Sequence, residues 1–187
     1  MIKAVIFDYF GVISSDDYWK FVRHGRGGKS QFRDYADAVN TGELHWQEFV
    51  QQVAKSTNTD ITEVNKLYAA EQINPLVVGL IHELHKKYKT GLITNASHEF
   101  VDEIMDQNHM RDIFDSIVVS SRLGITKPDP RIFQYALKEL KVQPEEAIYI
   151  DDLVRHVDAA DTLGMHAFVF ENFEQAKKRI QSILAQA

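Results

Sequence analysis

A few side chains that could do chemistry stand at the ends of short apolar runs. Asp8 ends the run KAVIFD, Thr94 ends GLIT, and the pair Asp151 and Asp152 ends AIYIDD, while Lys127 lies in the loop GITKPDP. Carboxylates can act as nucleophiles, as acid–base groups or as metal ligands, and lysine can neutralise an anion. Each residue alone is explained more simply by a turn, a strand, a helix entry or a solvated loop. Their chemistry therefore depends on whether the fold brings them together.

The elements that must position these residues alternate between strand and helix. The strand-like runs are short and apolar throughout, which is typical of a parallel sheet covered by helices on both faces. A block with only helical patterns follows the first strand. We therefore predict an α/β fold, a Rossmann-like doubly wound parallel sheet formed by residues 1–14 and 76–187, with an α-helical insertion at 15–75. Ligands of such sheets bind beyond the carboxyl ends of the strands, where the polar residues should gather.

The composition excludes several classes of protein. The 187 residues include no cysteine, which excludes disulfides, thiolate zinc sites and cysteine nucleophiles. The net charge of −6 does not favour binding to nucleic acid or to acidic membranes. No apolar run approaches the roughly 20 residues of a membrane helix, and we see no signal peptide. We expect a cytoplasmic protein without nucleic-acid or membrane partners, and its oligomeric state is not predicted.

Four stretches of the chain resemble the motifs of one known superfamily. VIFDYFGVI, LITNAS, GITKPDPRIF and YIDDLVRHVDAADTLG are similar, in this order, to the four motifs of the haloacid dehalogenase (HAD) superfamily. The resemblance covers nearly the whole chain and includes a helical cap after the first motif, as in subfamily I. Within the cap, NTGELHWQEF resembles the small sugar-phosphate phosphatases. The resemblance implies a hydrolase that releases phosphate from a small phosphorylated metabolite through an aspartyl-phosphate intermediate.

The resemblance also implies a role for each polar residue. Asp8 would be the nucleophile, and Lys127 would neutralise charge on the nucleophile and on the phosphoryl group. Thr94 and the backbone N–H of Asn95 would hold phosphoryl oxygens. Mg²⁺ would be the cofactor, because it prefers a few carboxylates with waters and substrate phosphate. The implied ligands are oxygen donors: the carboxylates of Asp8, Asp151 and Asp152, and the backbone carbonyl of Phe10.

Phe10 departs from the phosphatase pattern, which has a second aspartate two residues after the nucleophile. That aspartate transfers protons to the leaving group and from water, a role typically worth ~10²–10⁴-fold in rate. The dehalogenases of the superfamily have an aromatic residue there and need no metal, so a 2-haloacid dehalogenase is an alternative. A catalytically weakened protein that serves as a binding or regulatory module is another. If proton transfer limits a phosphatase reaction, Phe10→Asp should raise its turnover.

A basic, glycine-rich segment could contact an anionic substrate. The sequence HGRGGKS and the residue before it contain Arg23, Arg26 and Lys29, inside the predicted cap. Caps of the family fold over the active site, so Arg23 and Arg26 are candidate substrate-binding residues. A solvated loop fits the same composition.

His156 is a second departure from the family pattern. The family often has Asn or Asp four residues after the acidic pair, where it contacts waters on the metal. His156 could hold such a water or bind the metal itself, although a surface histidine in the first turn of a helix is the simpler interpretation.

Overall fold

Five parallel strands form the central sheet of the computed structural model, which describes residues 1–15, 31–64 and 72–186. The strands are β1 (Ala4–Phe7), β2 (Lys89–Thr94), β3 (Ser116–Val119), β4 (Ala147–Asp151) and β5 (His166–Val169). Their spatial order is β3-β2-β1-β4-β5, so the chain winds outward from β1 in both directions. The predicted Rossmann-like α/β fold with a parallel sheet is confirmed.

Helices connect the strands and cover the sheet. They are α1 (Gln31–Thr41), α2 (Trp46–Thr57), α3 (Pro75–His85), α4 (His98–Gln107), α5 (Ser120–Leu123), α6 (Pro130–Leu140), α7 (Val154–Thr162) and α8 (Phe173–Gln186), with 3₁₀ turns at Arg111–Ile113 and Pro144–Glu146. Residues 61–64 are also helical. The side chains of Asn74, Ser97 and Asp129 cap α3, α4 and α6 by accepting backbone N–H groups of the first turn. Among the described helices, none is long and apolar enough to cross a membrane.

Two hydrophobic clusters lie on opposite faces of the sheet. Successive side chains of a strand point to opposite faces. Val5 and Phe7 of β1 therefore belong to one cluster, whereas Ala4 and Ile6 belong to the other. All four side chains are at most 1% exposed. Because both faces are covered, the interiors of the strands are mostly apolar, whereas polar residues such as Lys89, Ser116 and His166 stand at strand ends.

The two chain segments that lead into and out of the predicted insertion run side by side. The N–H of Ser15 donates to the carbonyl of Gln72 at 3.0 Å, and the N–H of Asn74 donates to the carbonyl of Ile13 at 2.8 Å. These backbone hydrogen bonds lie close to the predicted boundaries at residues 14–15 and 75–76. The division into core and cap stays a prediction.

The turn between α1 and α2 contacts the loops and helices that follow β2 and β3. The buried hydroxyl of Ser120 donates to the carbonyl of Asn40 at 2.6 Å. Gly42, with φ +79°, lies so close to the carbonyl of Ser121 that a Cβ there would be 2.5 Å from its oxygen. Trp46 packs against Phe100, with ring centroids 6.1 Å apart. The turn is thus fixed to the sheet domain by polar and apolar contacts.

Gly42→Ala should destabilise the protein, because alanine both disfavours positive φ and brings Cβ into the carbonyl of Ser121. We expect a loss of about 1–3 kcal/mol in the free energy of unfolding, the scale of a strained backbone position. Gly79→Ala is the matched control, since no atom lies within 4 Å of its added Cβ in the middle of α3. The control should gain roughly 0.5–1 kcal/mol from helix propensity. Urea unfolding of both variants measures the difference, and equal stabilities would contradict the tight contact.

Candidate active site

The register of the central strands brings Asp8 and Asp151 to the same level of the sheet. Phe7 of β1 pairs with Ile150 of β4, and the next residue of each strand is an aspartate. Lys127 reaches between them from the loop before α6, and its Nζ lies 2.7 Å from Oδ1 of Asp8 and 2.7 Å from Oδ2 of Asp151. It also donates to the carbonyl of Ile93 in β2 at 3.0 Å. The three N–H groups of this ammonium therefore join three strands.

The carboxylate of Asp8 is buried and uses its two oxygens differently. Oδ1 accepts the backbone N–H of Tyr9 at 2.7 Å as well as the ammonium of Lys127. Oδ2 receives no hydrogen bond from the residues that the structure describes. Burial, the largest influence, and the charge of Asp151 raise the pKa of Asp8 well above its usual value, against the pull of Lys127. A cation beside Oδ2 would offset this penalty.

Asp151 is surrounded by donors. Oδ2 accepts from Lys127 and, at 2.5 Å, from the hydroxyl of Tyr149, while Oδ1 accepts the N–H of Leu153 at 2.9 Å. Nδ1 of His156 lies 3.0 and 3.1 Å from the two oxygens. Burial alone would raise the pKa of Asp151, but the Lys127 charge and the hydrogen bond from His156 outweigh it and hold the pKa far below its usual value. Asp151 is thus an ionised partner of Lys127 whose oxygens are already occupied.

The charges near Lys127 do not balance without a further cation. Burial opposes the charge of Lys127, but Asp8 and Asp151 outweigh this effect and raise its pKa. One ammonium therefore faces two buried carboxylates, and the charge of Asp152 acts on Asp8 as well. The described part of the site has a negative balance, which suits a divalent cation.

The side chain of Asp152 lies against Gly11, whereas that of its neighbour Asp151 contacts Lys127. The Asp152 carboxylate is half-buried, and a Cβ added to Gly11 would be only 2.6 Å from its Oδ2. Gly11 has φ +78°, a conformation that favours glycine. The turn after β1 therefore leaves room for the Asp152 carboxylate directly beside the segment that carries Asp8 and Phe10.

Thr94 and Asn95 lie at the end of β2 and have different environments. Thr94 is completely buried, and among the described residues its Oγ1 has no hydrogen-bond partner. A buried hydroxyl without a partner is costly, so a bound group that completes its hydrogen bond is the natural explanation. The Asn95 side chain holds the backbone of Lys127: Oδ1 accepts its N–H at 2.8 Å, and Nδ2 donates to its carbonyl at 3.0 Å.

His156 is not a surface residue, so the simpler interpretation from the sequence is wrong. It lies in the first turn of α7, as expected, but is only 3% exposed because its ring turns inward to Asp151. Burial lowers the pKa of His156, although the hydrogen bond to Asp151 acts in the opposite direction. The residue is therefore a neutral donor in the interior.

Asp8, Asp151 and His156 lie close enough together, with ligand atoms within 4.8 Å of one another, to suggest a metal site. Lys127, however, already lies 2.7 Å from both carboxylates. Nε2 of His156 accepts from Nε of Arg155 at 3.3 Å, so the ring proton is on Nδ1, which therefore has no lone pair for a metal. The ammonium, and not a metal ion, accounts for this cluster.

The ring of Phe10 belongs to an aromatic cluster. It stacks on Phe100 of α4 with centroids 5.5 Å apart and an interplanar angle of 12°, and it meets Tyr9 edge-on at 5.1 Å. Trp46 of α2 packs against both Phe100 and Phe49. Phe10 thus connects the turn after β1 with the helices of the predicted cap.

Phe10→Asp should lower the free energy of unfolding by about 3–5 kcal/mol, because it removes a buried ring and places a carboxylate in an apolar cluster. Phe10→Leu, which remains apolar, should cost less. Urea unfolding compares the two variants, and an Asp variant as stable as the Leu variant would contradict this expectation. The gain in turnover expected from the sequence remains a separate prediction, to be measured per folded molecule.

Some residues of the site were not found by sequence reasoning, and others lie outside the described residues. Arg23, Arg26 and Lys29 lie in the segment 16–30, which the structure does not describe. Tyr149 was missed, although it stands two residues before Asp151 and so shares its face of β4. That alternation could have identified it.

Two sequence comparisons identify relatives of this chain. The family model of haloacid dehalogenase-like hydrolases matches residues 2–164. D-ribitol-5-phosphate phosphatase from Bacteroides thetaiotaomicron is 27% identical over 207 aligned positions, which span 98% of this chain and 99% of that protein. Acyl-CoA dehydrogenase family member 10 from Mus musculus is 31% identical over 205 positions that span 97% of this chain. The matched region is only 19% of the mouse protein, so this chain corresponds to about a fifth of its length.

Solved structures show the same fold. A HAD family enzyme from Bacteroides thetaiotaomicron, in complex with magnesium and inorganic phosphate, has a TM-score of 0.74 at 19% identity, over 90% of this chain and 94% of that chain. L-2-haloacid dehalogenase from Xanthobacter autotrophicus, with chloropropionic acid covalently bound, has a TM-score of 0.67 at 18% identity, over 89% and 76% of the chains. At these identities the likeness concerns the fold. With the family model matching most of its length, the chain belongs to the haloacid dehalogenase-like hydrolases.

Proposed function

We propose that this hydrolase is a Mg²⁺-dependent phosphatase that acts on a small phosphorylated metabolite in the cytoplasm. The observation that carries the proposal is that two oxygens at the ends of adjacent strands receive no hydrogen bond from the described residues. Oδ2 of Asp8 receives no hydrogen bond from the described residues, while Oδ1 is fixed by Lys127, and Thr94 at the end of the adjacent strand has a hydroxyl without a described partner. A bound phosphoryl group would give Oδ2 of Asp8 and the hydroxyl of Thr94 the partners that they lack among the described residues. The D-ribitol-5-phosphate phosphatase relative supports the same substrate class.

The residues around Asp8 fit a magnesium ion. The carboxylates of Asp8 and Asp152 and the backbone carbonyl of Phe10 are the oxygen donors that we assign to it. Asp151, which the sequence also suggested as a ligand, has oxygens occupied by other donors, so we assign it to Lys127 instead. Bound Mg²⁺ would neutralise charge on the phosphoryl oxygens and on Asp8. The negative balance of the site supports this assignment.

The proposed reaction begins with attack by Asp8 on phosphorus. The new bond joins Oδ2 to phosphorus, and the bond between phosphorus and the substrate oxygen breaks. Lys127 neutralises Asp8, while Thr94 and the N–H of Asn95 hold phosphoryl oxygens. Water then attacks the aspartyl-phosphate, which releases inorganic phosphate and restores the carboxylate. Phe10 has no proton to transfer, so the leaving oxygen takes its proton from water or from a group of the cap.

The substrate-binding part of the proposal rests on the predicted cap, residues 15–75. We assign Arg23 and Arg26 to the anionic substrate because arginine suits phosphate geometry. Charge reversal at both positions tests this by raising KM for phosphate esters. An unchanged KM across several esters would contradict the assignment.

A dehalogenase is the second candidate, and the position of Phe10 is the observation that favours it. An aromatic side chain stands next to the nucleophile, and halide needs no proton to leave. Asp8 would then attack a carbon that bears halide, without a metal. The carboxylate of Asp152 beside Gly11 has no function in that reaction, which is why phosphatase is the leading proposal.

One set of assays separates the candidates. Phosphate release from sugar phosphates and an aryl phosphate is measured with Mg²⁺ or with a chelator, and halide release is measured from 2-haloacids. Metal-dependent phosphate release supports the proposal, whereas halide release without metal overturns it in favour of dehalogenation. If neither product forms but phosphate esters still bind, the chain is a binding or regulatory module.

A further inference from the structure

His156 is a buried polar residue for which the proposed reaction has no use. Its ring donates to the two oxygens of Asp151 and lies within 4.8 Å of the Asp8 carboxylate, without a described hydrogen bond to Asp8. We propose that His156 is a positioning residue that fixes the carboxylate of Asp151 and thereby holds the ammonium of Lys127 against Asp8. This inference deepens the proposed phosphatase function and rests on it for its kinetic consequence.

The hydrogen bonds of His156 define its tautomer. Nε of Arg155 can only donate, so Nε2 of His156, at 3.3 Å, is the acceptor. The ring proton is then on Nδ1, which faces Oδ1 of Asp151 at 3.0 Å and Oδ2 at 3.1 Å. His156 is thus a neutral donor whose two ring nitrogens are both used.

The contact with both oxygens distinguishes His156 from the other donors to Asp151. The hydroxyl of Tyr149 donates to Oδ2 and the N–H of Leu153 donates to Oδ1, so each restrains one oxygen of the carboxylate. The proton on Nδ1 of His156 lies between the two oxygens of Asp151 and restrains rotation of the carboxylate plane. Lys127 contacts Oδ2, so a rotation of this plane would move the lysine relative to Asp8.

The neutral state of His156 matters as much as its geometry. Lys127 is the cation that both Asp8 and Asp151 use, at 2.7 Å from each. A second positive charge behind Asp151 would compete with Lys127 for that carboxylate. A neutral N–H donor orients Asp151 and leaves its charge to Lys127. This separates the role of His156 from that of a metal ligand.

Three variants test the inference. His156→Leu fills a similar space without a donor, whereas His156→Asn restores one, because Nδ2 of asparagine and Nδ1 of histidine are both bonded to Cγ. Tyr149→Phe removes the other uncharged side-chain donor to Asp151 while it keeps the ring that packs on Phe133. For His156→Leu we expect a loss of kcat of roughly 10–100-fold, the scale for residues that orient catalytic groups, with KM changed by less than about twofold. His156→Asn should recover most of this loss, and Tyr149→Phe should lose kcat as well.

A second readout does not depend on activity. The ¹H–¹⁵N signal of a buried, hydrogen-bonded lysine ammonium can be observed by NMR and assigned to Lys127 from its absence in Lys127→Met. We expect this signal in the wild type and in His156→Asn, and its loss or broadening in folded His156→Leu. An unchanged signal in His156→Leu, or failure of a folded His156→Asn to recover kcat, would overturn the inference. If the wild type releases no phosphate, the proposed function fails, and the NMR signal still decides whether His156 positions Lys127.

Discussion

Asp8→Asn should reduce phosphate release by roughly 10⁴–10⁶-fold, the scale observed when an enzyme loses its nucleophile. An amide oxygen at the position of Oδ2 is a poor nucleophile and cannot form the aspartyl-phosphate. The same substitution should leave the melting temperature of the metal-free protein unchanged or raise it. Loss of activity without loss of stability would show that Asp8 serves catalysis and does not stabilise the fold.

The stability expectation follows from the electrostatics of Asp8. Folding raises its pKa through burial and the charge of Asp151, so the folded chain binds this proton more tightly than the unfolded chain. The ionised carboxylate therefore costs stability at pH values above the raised pKa, and this cost shrinks as the pH falls through the raised pKa and is gone below the usual carboxyl pKa. Asparagine removes the charge, so the advantage of the variant over the wild type should be largest near neutral pH and should decrease in acid.

The measurement combines a phosphate-release assay with thermal unfolding at several pH values in the presence of a chelator. Asp37→Asn, an exposed position on α1, is the matched control and should change neither quantity. Asp8→Ala checks that residual activity does not come from deamidated asparagine. A variant that keeps more than about one hundredth of the wild-type rate would exclude Asp8 as the nucleophile.

The sequence predicted the arrangement that depends on order along the chain. The alternation of apolar strands and helices was enough to predict the parallel sheet, and the ends of β1 and β4 were enough to bring Asp8 and Asp151 together. Lys127 also lies at the end of the sheet where the sequence predicted it. Its loop leads into α6, the helix that comes after β3, and β3 lies beside β2 in the sheet. These predictions succeeded because the alternation of strands and helices favours parallel strands, and because the residue at which each strand ends is visible in the local sequence.

The sequence did not predict how the polar groups share their partners. Asp151 and Asp152 are adjacent and chemically identical, but the first faces the interior and the second lies against Gly11. Which of them points inward depends on the register of β4 within the sheet, a long-range property. The burial of His156 follows from the same choice, because its partner is Asp151. The surroundings of Phe10 likewise come from residues that are distant along the chain.

Lys127→Met should have the opposite effect on stability from Asp8→Asn. Methionine keeps most of the chain volume of lysine but leaves the carboxylates of Asp8 and Asp151 buried without their shared cation. Removal of one partner from a buried ion pair typically costs about 3–5 kcal/mol. We expect a loss of this size in the free energy of unfolding at neutral pH, together with loss of phosphate release.

The pH dependence of the Lys127→Met variant gives a sharper check than its stability alone. In the wild type the low pKa of Asp151 contributes stability that is fully present above the usual carboxyl pKa, so this contribution does not change between pH 7.5 and pH 4.5. Without Lys127, burial should raise the pKa of this carboxylate above its usual value, so the folded variant takes up a proton in mild acid. The penalty of the variant should then shrink, and the difference in stability between variant and wild type should narrow. Urea unfolding near pH 7.5 and near pH 4.5 measures the difference in the free energy of unfolding between wild type and variant at each pH.

Lys138→Met, at an exposed position of α6, is the control for the loss of a positive charge and should resemble the wild type at both pH values. A difference that stays constant with pH would show that methionine disturbs packing and that the charge of Lys127 is not what the two carboxylates require. The stability that Lys127→Met loses relative to the wild type should become smaller in acid, and so should the stability that Asp8→Asn gains. If both differences become smaller, both have the same cause, which is one ammonium shared by two carboxylates. That shortage of positive charge is the physical reason to expect a divalent cation at this site.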